Sequence, residues 1–344
     1  MTLPLPLSRA ATLAATASGS GFDGMVVTEA GRTAFLSCAA AAVAAPELHL
    51  ATGVAVAFAR SPMVTAATAW ELAEATGGRF RLGLGTQVRA HVERRYASDF
   101  DRPGPRLREY VRAVRAIFAA FRGDERLAFD GEFWRFSLLP REWSPGSIDV
   151  PDPPVDVAAV NPWMLRMAGE VADGVHVHPL NTTTYLRDTV VPELARGAAA
   201  ADRDPSAVTR IVPCFTVAGD DDAERSRWRE LARLQVAFYG STPNYAFIFD
   251  QVGRPGTTEA LRGFQRSGDV AGMAGVIDDE LLARFVVEGT WDELPDLIID
   301  RLGGLADRVV LYSSSVAVRG DGTDLARFGR VAAGVRERCA GMSA

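Results

Sequence analysis

The sequence predicts an α/β fold, a (β/α)8 barrel of parallel strands covered by helices. Three observations predict it. Short apolar runs alternate with helical patterns along the 344 residues, about eight such strand–helix units can be counted, and neither a linker nor an internal repeat interrupts them. Repeated β-then-α units form a parallel sheet, and eight of them favour closure into a barrel. We therefore expect one domain over residues 1–344, a length that such barrels reach.

The composition is that of a soluble globular protein. Hydrophobic residues make up 48% of the chain, and no apolar run approaches the ~18 residues that a membrane span needs. The amino terminus lacks a charged segment ahead of its apolar residues, so we expect no secretory signal. Cys38, Cys214 and Cys339 are few and widely spaced. Their spacing favours a cytoplasmic protein and argues against a disulfide framework or a metal cluster.

The charged residues exclude several classes of function. The chain contains no lysine, so its 37 lysine-plus-arginine positions are all arginine. Schiff-base chemistry on lysine is therefore excluded, and an anion site must use arginine or backbone amides. The net charge of -6 disfavours nucleic acid as a partner, because no basic stripe offsets phosphate repulsion.

The first half of the chain contains four predicted strands. The expected elements are a truncated strand 3–7, strand 24–28, helix 35–45, strand 49–57, a helix opened by Ser61 and Pro62 and ended by Gly77 and Gly78, and strand 80–84. The last of these helices is expected to bury Val64, Ala67 and Ala73 around Trp70. Gly53 lies inside a predicted strand, where glycine usually marks a bulge or a close backbone approach.

The second half continues the alternation and contains one irregular insertion. The expected elements are a charged loop 91–105, helix 107–121, a hairpin 127–136, strand 155–160, a helix opened by Asn161 and Pro162, strand 175–177, helix 183–200, strand 211–217, helix 221–238, helix 291–302 and strand 308–311. Residues 240–284 break the pattern with proline, glycine and short helical pieces. Long insertions of this kind are usually lids or binding loops.

Candidate site residues follow the strands, because the active site of such a barrel lies at the carboxyl ends of its strands. Asn161 and Pro162 begin a helix directly after a strand, where free amides favour an anion such as a phosphate. An ordinary capped helix explains the same residues. Gly85 and Thr86 allow the same two interpretations, a plain turn or a hydroxyl and an amide for a ligand.

The titratable candidates also keep two interpretations each. His176 and His178 lie two positions apart on a strand, so both face the same side. They could form a ligand pair. Because no acidic or cysteine partner is nearby, packed or rim histidines are the other interpretation. His91 belongs to the charged loop, which is a solvated face or the clamp of an anionic tail. Glu29 ends a buried strand, where burial would raise its pKa and suit it to proton transfer, or it accepts a structural hydrogen bond. Tyr239 belongs to an aromatic group that packs in the core or walls a flat ring.

Several segments together resemble the luciferase-like monooxygenase superfamily, and within it the oxidoreductases that depend on the deazaflavin coenzyme F-420. The matching segments are GFDGMVVTE (21–29), ATGVAVAFARSPMVTAATAWELAEATGGRFRLGLGTQ (51–87), HVERRY (91–96), FDRPGPRLREYVRAVRAIF (100–118), PVDVAAVNPWMLRMAGEVADGVHVHPL (154–180), FYGSTPNY (238–245) and GGLADRVVLY (303–312). They follow one another in order over almost the whole chain. The match is therefore far more specific than any single motif.

The resemblance implies a luciferase-like TIM barrel, usually a homodimer, that binds a flavin or deazaflavin in its mouth. It implies a non-proline cis peptide at Gly53-Val54, in a bulge that backs the cofactor ring. The implied cofactor-binding residues are Gly53, Val54, Ala55, Gly85, Thr86, Gln87, Ala159, Val160 and Asn161.

One segment departs from the family pattern. Relatives in this branch often carry a histidine and an aspartate after the second strand, where this chain has Arg32 and Thr33. These two residues and Phe58 are expected to face the substrate. The proton donor then has to be another residue, and the candidates are Glu29, His91, His178 and Tyr239.

The expected function is hydride transfer between coenzyme F-420 and a C=C, C=N or C=O bond of a small organic substrate. The alternatives are a monooxygenase that uses reduced FMN on the same scaffold, and a non-catalytic paralogue that binds a cofactor without turnover. The sequence itself does not name the substrate.

Overall fold

The computed structural model describes residues 2–3, 5–317 and 323–342. Its main sheet contains ten strands, and a separate pair of strands forms a hairpin. The strands are β1 Thr2–Leu3, β2 Gly24–Val27, β3 His49–Thr52, β4 Ala55–Val56, β5 Phe80–Gly85, β6 Phe129–Asp130, β7 Arg135–Phe136, β8 Val155–Ala158, β9 Gly174–His176, β10 Thr209–Ala218, β11 Val286–Gly289 and β12 Arg308–Leu311.

Helices follow the strands of the main sheet. The helices are α1 Leu7–Ser20, α2 Ala34–Ala44, α3 Pro62–Ala75, α4 Arg89–Arg95, α5 Pro103–Arg122, α6 Pro162–Val171, α7 Thr183–Tyr185, α8 Val191–Ala199, α9 Asp222–Gly240, α10 Ala246–Gln251, α11 Thr257–Ser267, α12 Val270–Val276, α13 Asp279–Ala283, α14 Leu294–Leu302, α15 Ser314–Ala317 and α16 Thr323–Met342. A π-helical turn over Leu186–Val190 joins α7 to α8. Among the described residues, no helix is long and apolar enough to cross a membrane.

The main sheet is parallel throughout. Its order is β1-β2-β3-β5-β8-β9-β10-β11, with β4 beside β5 and β12 beside β10. The long strand β10 pairs with β12 through its first half and with β11 through its second half. Helix α15, which follows the last strand, contacts β1, the first strand. The predicted parallel α/β architecture is therefore confirmed, with the two ends of the sheet brought near each other.

The sheet curls around an interior. A β carbon added to Gly53, at the end of β3, would lie 1.9 Å from Val26 Cγ1 on β2 and 3.4 Å from His176 Cε1 on β9. β5 and β8 separate β3 from β9 in the sheet. Only a strongly curved sheet brings side chains from such distant strands together, as the wall of a barrel does. One hydrophobic cluster extends from Leu5 to Val331 around this wall.

The structure corrects several predicted elements. The predicted strand 3–7 is wrong, because β1 ends at Leu3 and α1 begins at Leu7. The predicted charged loop contains α4. The buried face of α3 differs from the predicted one. Val64, expected inside, is 54% exposed, whereas Ala66 and Ala69 are buried together with Trp70 and Ala73. Small alanines on every face of this helix give the periodicity little contrast.

Three other predictions agree with the structure. β6 and β7 form the expected antiparallel hairpin. The insertion 240–284 consists of a 3-10 turn and the short helices α10 to α13, and the helix after it begins at Leu294 rather than 291. The predicted strand 49–57 is interrupted after Thr52 and resumes at Ala55, the position at which Gly53 indicated a bulge.

Candidate functional site

The centre of the candidate site is the interruption between β3 and β4. The peptide bond Gly53-Val54 is cis, so the conformation that the resemblance implied is confirmed. The Thr52 side chain provides hydrogen bonds to β5 beside this interruption. Its hydroxyl donates to Gly83 O at 2.7 Å and accepts the Gly83 N–H at 2.9 Å. Thr52 is fully buried. The bulge is therefore held by side-chain hydrogen bonds to the neighbouring strand.

Glycines on β5 let the backbone pack closely around this bulge. A β carbon on Gly83 would lie 2.0 Å from Thr52 O, and one on Gly85 would lie 2.5 Å from Val54 Cγ2. Neither distance is tolerable for a carbon atom, so no larger residue fits at either position without movement. The two glycines therefore let β5 pack directly against the bulge, with the Val54 side chain over Gly85.

Glu29 is a structural residue. Its buried carboxylate accepts the Val56 N–H at 2.8 Å and binds Arg60 through both oxygens, at 3.0 and 2.5 Å. Arg60 also donates to Thr33 Oγ1 at 3.2 Å. Of the two interpretations of Glu29, the structure supports the structural hydrogen-bond acceptor, because the ion pair engages both carboxylate oxygens. Arg32 is exposed beside this group, so only Thr33 joins it.

The loop after β5 carries the next predicted residues. Thr86 is half-buried and Gln87 is exposed. Gln87 adopts a left-handed conformation with φ of 57°, and its side-chain oxygen accepts the Val88 N–H at 3.0 Å. The Thr86 hydroxyl donates to Gln87 O at 3.1 Å. This hydroxyl lies at the rim. Because its hydrogen bond to Gln87 O is exposed, a ligand could take the place of that partner.

Asn161 is an N-cap, as predicted, but its helix offers fewer free amides than we expected. Asn161 Oδ1 accepts the Met164 N–H at 2.9 Å, and Asn161 O accepts the Leu165 N–H at 3.0 Å. Pro162 has no N–H, so in the described chain the Trp163 amide is the donor of the first turn left for a ligand. In the same loop Ala159 is buried, and Val160 O accepts the Tyr185 hydroxyl at 2.6 Å.

An aromatic group surrounds His178 at the mouth. The His178 ring lies 4.8 Å from the Tyr239 ring, edge to face, and 4.2 Å from the Tyr245 ring. Leu180 N–H donates to His178 Nδ1 at 3.0 Å, which leaves the ring proton on Nε2. Burial lowers the pKa of His178 to about 3. His178 is therefore a neutral hydrogen-bond donor near pH 7 rather than an acid.

Tyr239 extends this group to the last strand. Its hydroxyl lies 2.5 Å from the hydroxyl of Tyr312, the residue that follows β12. Burial raises the pKa of both phenols. The two hydroxyls therefore stay protonated near neutral pH and share a hydrogen bond. Of the four predicted proton donors, the structure brings His178 and Tyr239 together.

The other predicted residues lie elsewhere. His91 is exposed on α4. Phe58 is only 4% exposed and packs against Phe100 and Trp134, at ring distances of 6.1 and 6.5 Å. The expectation that Phe58 faces a substrate is wrong in this structure, because its ring belongs to the core. His176 does not pair with His178 either, because β9 ends at His176 and the two rings have different neighbours.

Sequence reasoning missed a charged group below the bulge. Arg81 binds Asp156 through two hydrogen bonds of 2.8 and 2.5 Å, and Asp156 is fully buried. His176 Nε2 lies 3.8 Å from Asp156 and has no hydrogen-bond partner in the described chain. Burial, and then the charge of Arg81, lower the pKa of His176 to about 3. The signal that could have revealed the group is a single charged residue in each of two apolar strands, FRLGLG and VDVA.

The site therefore combines bare backbone, hydroxyls, neutral ring donors and one free helix amide. Among the described residues, no group of three or more His, Cys, Asp or Glu side chains could hold a metal ion. Such a site can seat a flat organic group, bind its polar edge and exclude water.

Comparisons with known proteins identify relatives along nearly the whole chain. The sequence model described as luciferase-like monooxygenase matches residues 2–308. An uncharacterized protein of Mycobacterium tuberculosis is 39% identical over 308 residues, which cover 90% of this chain and 91% of that protein. The 5,10-methylenetetrahydromethanopterin reductase of Methanolobus tindarius is 28% identical over 84% of this chain and 85% of the reductase.

Two solved structures show the same fold. The coenzyme F-420-dependent tetrahydromethanopterin reductase of Methanopyrus kandleri superposes with a TM-score of 0.71 at 20% identity, over 90% of each chain. The oxygenating constituent of 3,6-diketocamphane monooxygenase of Pseudomonas putida, solved with FMN, has a TM-score of 0.63 at 17% identity. That match covers 95% of this chain and 93% of the monooxygenase.

Proposed function

Because the chain belongs to the luciferase-like monooxygenase family, we propose that it is a cytoplasmic oxidoreductase that transfers hydride between coenzyme F-420 and a C=C, C=N or C=O bond of a small organic substrate. The observation that carries the proposal is the cis bulge at Gly53-Val54, against which the glycines of β5 pack closely. In this family that backbone seats the ring of the cofactor. The relatedness to methylenetetrahydromethanopterin reductases supports a reductase rather than an oxygenase.

The residues at the mouth fit a deazaflavin. The backbone of Gly53 to Ala55 would lie behind the ring, and Gly83 and Gly85 let β5 pack directly against that backbone. The Thr86 hydroxyl and the Trp163 amide would bind the phosphorylated arm, because hydroxyls and helix amides are the anion ligands at this rim. When bound, the deazaflavin supplies the hydride.

The aromatic group orients the substrate over this seat. Tyr239 and Tyr245 pack against the His178 ring. A neutral Nε2–H that hydrogen-bonds a carbonyl or imine polarises it without a change of protonation. The Tyr239 hydroxyl shares a hydrogen bond with the Tyr312 hydroxyl, so this pair carries a proton beside the aromatic group. These residues would take the place of the histidine and aspartate that the family branch carries at Arg32 and Thr33.

A titration tests the cofactor. The purified apo-protein is titrated with oxidised F-420 and, separately, with FMN, and each is followed by equilibrium dialysis. We expect F-420 to bind at least about tenfold more tightly than FMN, a difference of ~1.4 kcal/mol. Thr86→Val should weaken F-420 binding, whereas Thr68→Val should not, because the Thr68 hydroxyl donates to Val64 O on the surface of α3. Tight FMN binding without F-420 binding would contradict the proposal.

The FMN-bound monooxygenase structure favours a second candidate, a monooxygenase that uses reduced FMN. The same titration separates the two candidates, because each predicts the opposite order of affinities. Oxidation of reduced F-420 in the presence of a panel of ketones, enones and imines tests the third possibility. Turnover with any of them excludes a non-catalytic paralogue.

We further infer that two copies of the chain form a dimer. Leu36 and Val43 on α2 and Val64 on α3 are 54%, 83% and 54% exposed, on two helices that contact each other. Apolar side chains grouped on one surface typically mark an interface. Sedimentation equilibrium should give twice the chain mass of 36.9 kDa, and Val43→Glu should reduce it to the monomer.

A further inference from the structure

A cavity of ≈720 Å³ lies at the amino-terminal end of the barrel, opposite the candidate site. It is bounded by the first residues of β2, β3 and β12 and by α16. None of the residues assigned to the cofactor lines it.

Arg308 faces this cavity without an ion pair. It lines the cavity, and within the described chain no carboxylate or carbonyl binds its guanidinium. The three carboxylates on the described lining have partners: Asp307 binds Arg210 at 2.8 Å, Asp23 binds Arg336, and Glu47 accepts the Ser18 hydroxyl at 2.5 Å. Arg308 is therefore a cation whose neighbours already have partners.

Arg81 reaches the cavity from a neighbouring part of the wall. Its Nε and one terminal nitrogen bind Asp156, and its remaining nitrogen has no partner in the described residues. Burial, and then the charge of Arg81, lower the pKa of Arg308, while Asp156 and Asp23 oppose them. The same two arginines, together with Arg79, lower the pKa of His49 after burial, while Asp23 opposes them. Both guanidinium groups therefore act electrostatically on groups of the same cavity.

We propose that this cavity binds a small organic anion, a carboxylate or a phosphate, between Arg308 and Arg81. An anion there would offset the repulsion between the two guanidinium groups and give Arg308 the partner that it lacks. The rest of the ligand would lie against an apolar wall, which consists of Met25, Leu48, Val310, Ala332 and Val335. The proposal does not depend on the cofactor or on the reaction at the other end of the barrel.

Inorganic phosphate and phenyl phosphate are the probes. Each is titrated into the full chain by calorimetry, and the histidine signals are followed by NMR. We expect phenyl phosphate to bind more tightly than phosphate, because its ring covers the apolar wall. Bound anion should raise the pKa of His49, because it offsets the charge of Arg308. A phosphate bound instead at the cofactor rim would leave the pKa of His49 unchanged.

Two variants make the test specific. Arg308→Gln should weaken binding at least about tenfold, the loss expected for one charge-assisted hydrogen bond, and Arg308→Lys should retain most of the binding. Arg79→Gln is the matched control: Arg79 also lowers the pKa of His49, but it binds Pro46 O and does not line the cavity. That variant should bind both probes as the wild type does. The proposal would be overturned if the wild type and Arg308→Gln bound the probes equally well. It would also be overturned if neither probe changed the pKa of His49.

Discussion

Glu29 and Arg60 form an ion pair that fastens the end of β2 to the segment after β4. Both carboxylate oxygens bind the guanidinium, and one of them also accepts the Val56 N–H. The Glu29 side chain is 3% exposed and that of Arg60 is 22% exposed. The pair therefore holds in place the segment that contains the bulge.

Glu29→Gln should destabilise the protein without a change in its fold. Removal of one partner leaves the Arg60 charge buried and unpaired, which costs ~2 to 4 kcal/mol of the free energy of unfolding. Urea denaturation measures it. Glu93→Gln breaks an exposed pair with Arg89 and should leave the midpoint unchanged. Equal midpoints for the two variants would show that the buried pair contributes nothing.

Thr52→Val should destabilise the protein although it preserves the shape of the side chain. The Gly83 N–H and C=O lose their partner beside the bulge, and two unsatisfied buried groups cost about 2 to 5 kcal/mol. Denaturation by urea provides the measurement. Thr68→Val serves as the control, since its hydroxyl lies on the exposed side of α3. A Thr52→Val protein as stable as the control would mean that water replaces the hydroxyl.

Gly53→Ala should prevent correct packing of the bulge, because the added methyl would lie 1.9 Å from Val26 Cγ1. Val26→Ala removes the clashing atom. We therefore expect the double variant to recover much of the stability that Gly53→Ala loses. Thermal denaturation of the wild type, both single variants and the double variant measures the coupling. Simple additivity of the two losses would contradict the proposed contact.

Stability should fall below pH 6.5, partly because of His176. Its pKa is about 3 in the folded protein against an ordinary value of 6.5. The unfolded chain therefore binds one more proton between these values, and the free energy of unfolding decreases by up to ~1.4 kcal/mol per pH unit as pH falls. His176→Gln should make this decrease shallower by that amount between pH 6 and pH 4. His91→Gln, at an exposed position, should keep the wild-type slope.

Tyr245→Ala should raise the pKa of His178 from about 3 towards its ordinary value. Burial is the cause of the low value, and the Tyr245 ring, 4.2 Å away, contributes to that burial. NMR titration of the histidine signals measures the change. Tyr245→Phe keeps the ring and should leave the pKa of His178 where it is. If the two variants titrate alike, another part of the chain buries His178.

Much of the secondary structure could be predicted because it depends on neighbouring residues. Asn161 and Pro162 cap a helix, Gly131 begins the loop of a hairpin directly after Asp130, and Gly53 marks the bulge. Each of these effects is local, so a short window of sequence contains its cause. The buried face of α3 is harder to predict from such a window, because alanines on several sides of this helix give little contrast between its faces.

Much of the candidate site could not be predicted because its contacts join distant parts of the chain. Glu29 and Arg60 are 31 positions apart, Tyr239 and Tyr312 are 73 apart, and Arg81 and Asp156 are 75 apart. No periodicity tells which two strands become neighbours. Two interpretations of Glu29 stay open in the sequence because its partner Arg60 cannot be identified there.

The order of residues alone was enough to determine that strands and helices alternate, where the chain must turn, and at which positions only backbone fits. Which charges neutralise each other, which ring covers His178, and that Arg308 is left facing an open space were decided only when the sheet curled. The physical reason is that alternation and capping are short-range effects, whereas pairing and burial depend on which strands the closing sheet brings together.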